Sequence, residues 1–549
     1  MTTIDSSPDT ATESSAIGRL LAADVDWLTS TDHKKVGRLF LGGGLLGLLA
    51  TVVVNVLIAV ERVSGTSATF AEDTWVQLFS AQRFGLVFGA ALPLAVGLAV
   101  AVTPLQLGAR SIAFPRLAQT GFFMWFGGFV LSIVAVASNG GFGDDADMID
   151  LFLAAHVLMA LGLAAGAASI VTSVMTTRAP GMTMRRVPFF AFSTLIFGIG
   201  LLIVLPILVG ALVYLFVDHR SGAGELFADG VSEYALWAFG QPTTFLFAIP
   251  VIGLFAELLP TTFRKRTPLR GVVFAGLSLV GVAALAGSTQ QTVFDVPWAG
   301  SQLYIGGGDD LRQKVEDVAP WAIFHLLPIL GAGLIFLMFL FLAKPEKNSR
   351  PHLIGAFPFA VFGFGMVLVG MHGAALLPIV DFGLLGTVFD EASLIYVVYG
   401  IALGTMGGIV YWAPKLWGVV LDLAKVGLLA LLGVTATVLA SFPHYIAGFL
   451  NQPAGFRVTD NDLQIWNVIV LVGHSLMAVT VLAFIGLLTQ SVLGRGDRSA
   501  ADDPFDAHTI EWATTSPAPT DNFVDVPMIT SAEPLLDRKS ANDADGSDS

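Results

Sequence analysis

Twelve stretches of this chain are long enough and apolar enough to cross a bilayer, and no other property limits its fold so tightly. A spanning helix needs about 20 predominantly apolar residues. Runs meeting that requirement fall at roughly 36–60, 84–107, 117–138, 150–176, 188–217, 236–262, 270–287, 320–343, 354–379, 390–413, 418–446 and 464–494. Composition agrees: 54% of the 549 residues are hydrophobic and 13% charged, with a mean hydropathy of +0.75. That balance belongs to an integral membrane protein and not to a soluble multidomain chain. The runs are too long and unbroken for a barrel, whose strands alternate over about ten residues. The expected fold is an all-α membrane bundle of twelve helices.

Basic residues orient such a bundle, because Lys and Arg accumulate in cytoplasmic loops. With the N-terminus inside, the inner loops and helix ends hold nineteen of them, among them Lys34, Lys35, Arg38, Arg185, Arg186, Arg264, Lys265 and Arg266. The outer loops keep six: Arg62, Arg83, Arg220, Arg312, Lys314 and Arg457. Both ends are therefore expected on the cytoplasmic side of a cell membrane crossed many times.

The net charge of −14 would repel phosphates and argues against nucleic acid as a partner. The chain has no cysteine, which rules out disulfides, thiolate metal sites and catalytic thiols. The first 30 residues show neither a basic n-region nor an apolar h-region, so no cleaved signal peptide is expected. Residues 1–23 are rich in Ser, Thr and Asp and read as a disordered tail. Residues 24–494 form one helical membrane domain, with longer outer connections near 61–83, 218–235 and 288–319. Residues 495–549 read as an extended polar cytoplasmic tail.

Five motifs recur in an order that points to one family. Trp27-Leu-Thr-Ser-Thr-Asp-His-Lys-Lys-Val-Gly37 leads into the first span, and Pro104-Leu-Gln-Leu-Gly-Ala109 with Ala113-Phe-Pro-Arg116 follows the second. Ala179-Pro-Gly-Met-Thr-Met-Arg-Arg-Val-Pro-Phe-Phe190 precedes the fifth. Leu236-Trp-Ala-Phe-Gly-Gln-Pro-Thr-Thr-Phe245 opens the sixth, and Asp502-Asp-Pro-Phe-Asp-Ala-His-Thr-Ile-Glu-Trp-Ala-Thr-Thr-Ser-Pro517 lies in the tail. Together they resemble haem-copper oxidase subunit I, of the cytochrome c oxidase type, over nearly the whole chain.

That resemblance implies two haems and one copper held by six histidines, and this chain departs from the pattern at each position. The family's W-F-F-G-H-P-E-V-Y becomes a segment with Gln241, Thr243 and Phe245 where the family has its copper-binding His, proton-passing Glu and cross-linked Tyr. The haem ligand of the second helix falls at Ala81 or Gln82. The adjacent copper pair falls at Thr289 and Gln290, or one residue later at Gln290 and Gln291. The H-x-H of the tenth helix becomes Ala392-Ser393-Leu394. The arginines that neutralise haem propionates fall on Ala454 and Gly455. Haem iron needs an axial ligand and such a copper centre needs three imidazoles. The expectation is therefore no catalytic residue, no metal and no cofactor at these vacated positions.

Ionisable residues inside a membrane are costly and persist where protons or ions move. The apolar cores of the twelve spans contain no Asp, Glu, Lys or Arg, and Glu257, Asp381, Glu391, Asp422 and Lys425 lie near span ends. Of nine histidines, His33, His219, His352 and His508 read as loop or tail residues. His156, His325, His372, His444 and His474 read as hydrogen-bonded side chains near helix ends. Gly42-Gly-Gly-Leu-Leu-Gly47 suggests close helix packing and not a phosphate loop.

Three functional readings remain. The favoured one is a non-catalytic homologue of oxidase subunit I, structural or regulatory, docking oxidase subunit II- or III-like partners in a membrane complex. The second, resting on family resemblance alone, is a working terminal oxidase that reduces dioxygen with electrons from cytochrome c. The third is a transporter or sensor on the same scaffold.

Overall fold

The structure, a computed structural model, describes residues 27, 29–63, 69–141, 143–221, 244–290, 318–344, 351–455, 463–494, 500–526 and 528–539. Eleven helices among them are long and apolar enough to cross a membrane. With one shorter helix they are numbered here in chain order: α1 (His33–Val63), α2 (Thr74–Gln106), α3 (Pro115–Ala137), α4 (Ala146–Thr176), α5 (Phe189–Ser221), α6 (Phe245–Phe263), α7 (Arg270–Ala286), α8 (Val318–Leu342), α9 (Ala356–Leu376), α10 (Val388–Trp417), α11 (Leu423–Phe449) and α12 (Gln464–Leu493). The described residues contain no strand beyond one isolated bridge, Thr387 to Pro453.

The expected twelve runs correspond one to one with these helices, with two differences. The seventh has a shorter apolar part: Arg270–Ala286 rises about 25 Å against the ~30 Å of a hydrocarbon core, although helical backbone continues to Gln290. Its α-helical hydrogen bonding is interrupted at Val282, between Arg270–Gly281 and Ala283–Gln290. The second starts about ten residues earlier than its apolar run, because the half-polar segment Glu72–Phe84 is already helical. That helix passes through a π-helical stretch, Gly85–Ala91, before Leu92–Gln106.

Three helices form the centre. The apolar windows of α6 and α10 are wholly buried and that of α2 nearly so, whereas α3, α8, α11 and α12 bury only one face. The outer faces carry residues such as Leu337, Leu428, Val479 and Leu482, each about 60% exposed, as expected of side chains that meet acyl chains. Consecutive helices pack as neighbours, and α12 packs against α1, closing the bundle.

Packing at the α1–α2 crossing depends on small residues. A Cβ on Gly47 would lie 2.1 Å from the carbonyl oxygen of Gly89, so the two backbones touch where only glycine fits. Gly43 meets the Trp125 ring and Gly44 meets Leu94 in the same way, whereas Gly42 faces open space. The glycine run of α1 is thus the packing surface its sequence suggested.

The tail is irregular in backbone but folded against the bundle. Trp512, Ile510, Glu511 and Asn522 are all buried. Lys415, in the last turn of α10, donates to the carbonyl of Asp502 at 2.8 Å and lies 5.2 Å from the centre of the Trp512 ring. Arg186 donates to the carbonyl of Ile529 at 3.0 Å, and Arg266 pairs with Asp537. Lys34 donates to Oδ1 of Asn522 at 2.8 Å. His33, read from sequence as a loop residue, is buried in the first turn of α1. Its Nε2 faces the side chain of Asn522, and its Nδ1 donates to the carbonyl of Val100 at 3.1 Å. His508, read as a tail residue, is likewise buried.

Candidate functional site: a buried polar network between α1, α2, α10, α11 and α12

Polar residues recur at heptad spacing on the helices that meet opposite the tail. Asn55 and Arg62 lie seven apart on α1, Asn467 and His474 seven apart on α12, and Glu391 and Tyr399 eight apart on α10. Such spacings bring residues back to one helix face after two turns. All six side chains are buried. A polar group in this setting is costly unless hydrogen-bonded, so the arrangement of partners decides what the site is.

The outer tier is an ion pair. Both guanidinium nitrogens of Arg62 bind Glu391, Nη1 to Oε2 at 2.9 Å and Nη2 to Oε1 at 2.8 Å. The fork-on-fork geometry and near-total burial distinguish it from a surface salt bridge. The backbone N–H of Gly455 also points at Oε1 of Glu391, at 3.4 Å, and the Gly455 carbonyl accepts from Nε1 of Trp75 at 2.6 Å. Gly455 sits at φ +74°, which turns the chain so that both groups face the site. Beside it, Arg83 pairs with Asp390 at 2.9 Å.

The inner tier is a triad. Nδ2 of Asn55 donates to the Tyr399 hydroxyl at 3.1 Å, and that hydroxyl shares a hydrogen bond with Nδ1 of His474 at 2.9 Å. Between the tiers, Nε2 of His444 faces Oδ1 of Asn467 at 3.3 Å, and Gln452 donates to the same oxygen at 3.0 Å. Gln82 completes the wall from α2. The space left among these side chains is about 230 Å³ and has no room for a water molecule.

The positions singled out from sequence fall in different surroundings. Gln82 faces this network, whereas its neighbour Ala81 faces an apolar cavity between α1, α2, α3 and α4, so the two alternatives line different spaces. Ala392 and Leu394 are buried beside Glu391 on α10, Leu394 within the apolar core. Ala454 and Gly455 bring backbone groups and no charge: Ala454 N–H donates to the Gly386 carbonyl at 2.8 Å, and Gly455 touches Glu391 and Trp75 as above. Phe245 is fully buried at the start of α6, its ring 6.0 Å from that of His325. Gln241, Thr243 and Gln291 lie outside the described residues. Thr289 and Gln290 are described only as backbone at the end of the helical run Ala283–Gln290.

One charged residue, Arg62, corrects the sequence reading, and three more prove to be buried. Arg62 is not in an outer loop but in the last turn of α1, and Glu391 in the first turn of α10 is buried against it. Glu257 is buried in α6 and accepts from the N–H of Phe190 at 3.1 Å; Lys415 is buried in α10. Each is near a helix end, as expected, yet enclosed by neighbouring helices or the tail. Among the histidines, His156, His372, His444 and His474 have the hydrogen-bonded settings expected of them, and His219 pairs with Asp150 at 2.8 Å. No three His, Cys, Asp or Glu among the described residues converge as a metal site would require.

The comparisons with known proteins bear on this arrangement. Residues 35–293 match the family model described as cytochrome c and quinol oxidase polypeptide I. The chain is 30% identical to a putative cytochrome c oxidase subunit 1-beta of Streptomyces avermitilis, over 95% of this chain and 92% of that one. It is 28% identical to a probable cytochrome c oxidase subunit 1-beta of Nocardia farcinica, over 93% of this chain and 87% of that one. Against cytochrome c oxidase subunit 1 of Bacillus subtilis the figure is 27%, over 94% and 83%. The chain belongs to the haem-copper oxidase subunit I family. As a member it is a cytochrome c oxidase subunit I-like, multi-pass membrane protein. The family's ligand-bearing second, sixth and tenth helices correspond to α2, α6 and α10, the three most enclosed helices here. Oxidase subunit I proteins work inside multi-subunit assemblies, which supports membrane partners for this one.

Proposed function

We propose that this chain is a non-catalytic member of its family, a structural or regulatory subunit that keeps the oxidase body as a docking surface for other membrane subunits. The observation that carries the reading is the Arg62–Glu391 pair with the Asn55–Tyr399–His474 triad, standing between Gln82 and α10. A family haem between α2 and α10 calls for an imidazole at one of these positions and a slot the width of a porphyrin. Gln82, Ala392 and Leu394 supply no imidazole, and protein atoms fill the space so closely that water does not fit. These residues do not suit that group. The paired arginines of the family fall on Ala454 and Gly455, which carry no charge, and the arginines nearby are already engaged, Arg62 by Glu391 and Arg83 by Asp390.

A buried ion pair is a poor source of stability in itself, since desolvation offsets much of its attraction. Its use here is geometric: one bidentate contact fixes α1 against α10 where a cofactor would otherwise bridge them. The partners are subunits of the oxidase II or III kind. The membrane is the cell membrane, and the basic end, where α1 begins and the tail docks, lies on its cytoplasmic side. An absorption spectrum with metal analysis of the purified protein tests the reading. The expected result is no Soret band and no stoichiometric iron or copper; a Soret band with equimolar iron overturns it.

A further inference from the structure

The apolar cavity behind Ala81 plays no part in that reading. It encloses about 650 Å³ and draws its wall from four helices, with Thr51 on α1, Gln77 and Phe88 on α2, Ile133 on α3 and His156 on α4. A volume of that size accommodates a small-molecule ligand. Ile133 lines the cavity and is also half exposed on the outer face of α3, in line with exposed Val130 and Val134. The cavity therefore opens sideways, toward acyl chains.

Six polar side chains line it, Thr51, Thr74, Gln77, Ser132, Asn139 and His156, and the hydroxyls of Thr51 and Ser132 are spent on backbone carbonyls. His156 is 1% exposed, with the rings of Phe84, Phe88 and Phe152 packed around it at centroid distances of 4.5, 5.4 and 4.2 Å. Its Nδ1 meets the Phe152 carbonyl at 2.8 Å, and a carbonyl only accepts, so the proton sits on Nδ1 and the neutral ring keeps a lone pair on Nε2. That Nε2 has no hydrogen-bond partner. Gln77, toward the rim, gives its NH2 to Oδ1 of Asn139 at 3.1 Å and leaves its own Oε1 unpaired. The cavity wall thus holds two unsatisfied acceptors, with neither a cation nor a carboxylate on it. A carboxylate or phosphate would face the two unpaired acceptors with no cation to offset its charge, and a pure hydrocarbon would leave the imidazole unsatisfied.

We propose that this cavity binds one uncharged bilayer lipid whose hydroxyl donates to Nε2 of His156. The chain supplies the apolar walls, and the hydroxyl supplies the one hydrogen the buried ring lacks.

The test uses the full chain in lipid nanodiscs, with 1-hexadecanol and methyl hexadecyl ether as probes read by native mass spectrometry. The two have similar apolar chains, and only the alcohol can donate a hydrogen. The wild-type protein is expected to hold one equivalent of the alcohol about ten-fold more tightly than the ether. His156→Phe keeps an aromatic ring and should bind both probes equally. Ala81→Trp, which fills the cavity from the other wall, should bind neither while its thermal unfolding stays cooperative. Equal wild-type affinities, a preference that survives His156→Phe, or hexadecanoate binding as tightly as hexadecanol would each overturn the proposal. So would a Soret band that disappears with His156→Phe, since the imidazole would then be serving iron.

Discussion

Gln106, at the end of α2, holds the C-terminal tail through Glu511: its Nε2 donates to Oε1 of that residue across 3.1 Å, while its own Oε1 accepts the N–H of Ala191 at 3.0 Å. Trp412 adds a second donor to the same carboxylate oxygen at 3.3 Å. Three helices and the tail therefore meet at one buried acid, and the charged groups of that end depend on the contact staying closed.

The acid–base behaviour of the docked tail follows from burial. Enclosure pushes the Glu511 carboxyl up from its ordinary 4.5, against hydrogen bonds that favour the charged form. A raised acid stabilises docking below its unfolded pKa, and that contribution is lost as pH rises through the folded value. His508 behaves in the opposite sense. Burial, and then Lys539, lower it to about 4, so its contribution is present above pH 6.5 and is lost as pH falls toward 4. Limited proteolysis of the tail should therefore accelerate between pH 6.5 and 4 in the wild-type protein relative to His508→Gln. Glu511→Gln should protect the tail better than wild type as pH is raised above 5. Matching pH profiles for wild type and both variants would refute the assignment.

Breaking the Arg62–Glu391 pair from one side should be far worse than removing it whole. Arg62→Met strands a buried carboxylate and is expected to cost about 3–5 kcal/mol, whereas Arg62→Met with Glu391→Met together should recover most of that loss. Thermal unfolding in detergent, run as a double-mutant cycle, measures it. A coupling below about 1 kcal/mol would mean the pair does not hold α1 to α10.

Tyr399→Phe deletes one oxygen and leaves both Asn55 and His474 short of a partner. The expected destabilisation is about 1–3 kcal/mol, more than a buried Tyr→Phe change costs where the hydroxyl is free. The same unfolding assay reads it, with Tyr214→Phe on the exposed face of α5 as the control that should change nothing.

At the α1–α2 crossing, Gly47→Ala drives a methyl group into the Gly89 carbonyl and should cost roughly 2 kcal/mol or more. Gly42→Ala meets nothing within 4 Å and should be neutral or gain up to about 1 kcal/mol of helix propensity. Expression level and unfolding temperature of the two variants, compared side by side, check this.

Much of the fold was legible because a spanning helix announces itself in one dimension. The eleven long helices coincide with apolar runs, and Gly43, Gly44 and Gly47 lie where small residues let neighbouring helices approach closely. The polar network was not legible. Arg62 and Glu391 stand 329 residues apart, each at a helix end where a charge is ordinarily solvated, and only the folded bundle shows that neighbours cover them. Gln82 and Ala81 could not be told apart for a related reason: adjacent residues on a helix point about 100° apart, and a one-residue shift in alignment swaps the sides. The tail misled by composition. Polar stretches usually stay in water, but here Lys415, Gln106 and Asn522 satisfy the groups that docking buries.

Asn522 follows His33 by 489 residues, and each is a hydrogen-bonding partner of the other. The opening turn of the first helix is thus completed by a segment that follows the twelfth crossing. Removing the segment around Asn522 would therefore leave the His33 ring and the Lys34 ammonium each short of a partner at the first turn of α1.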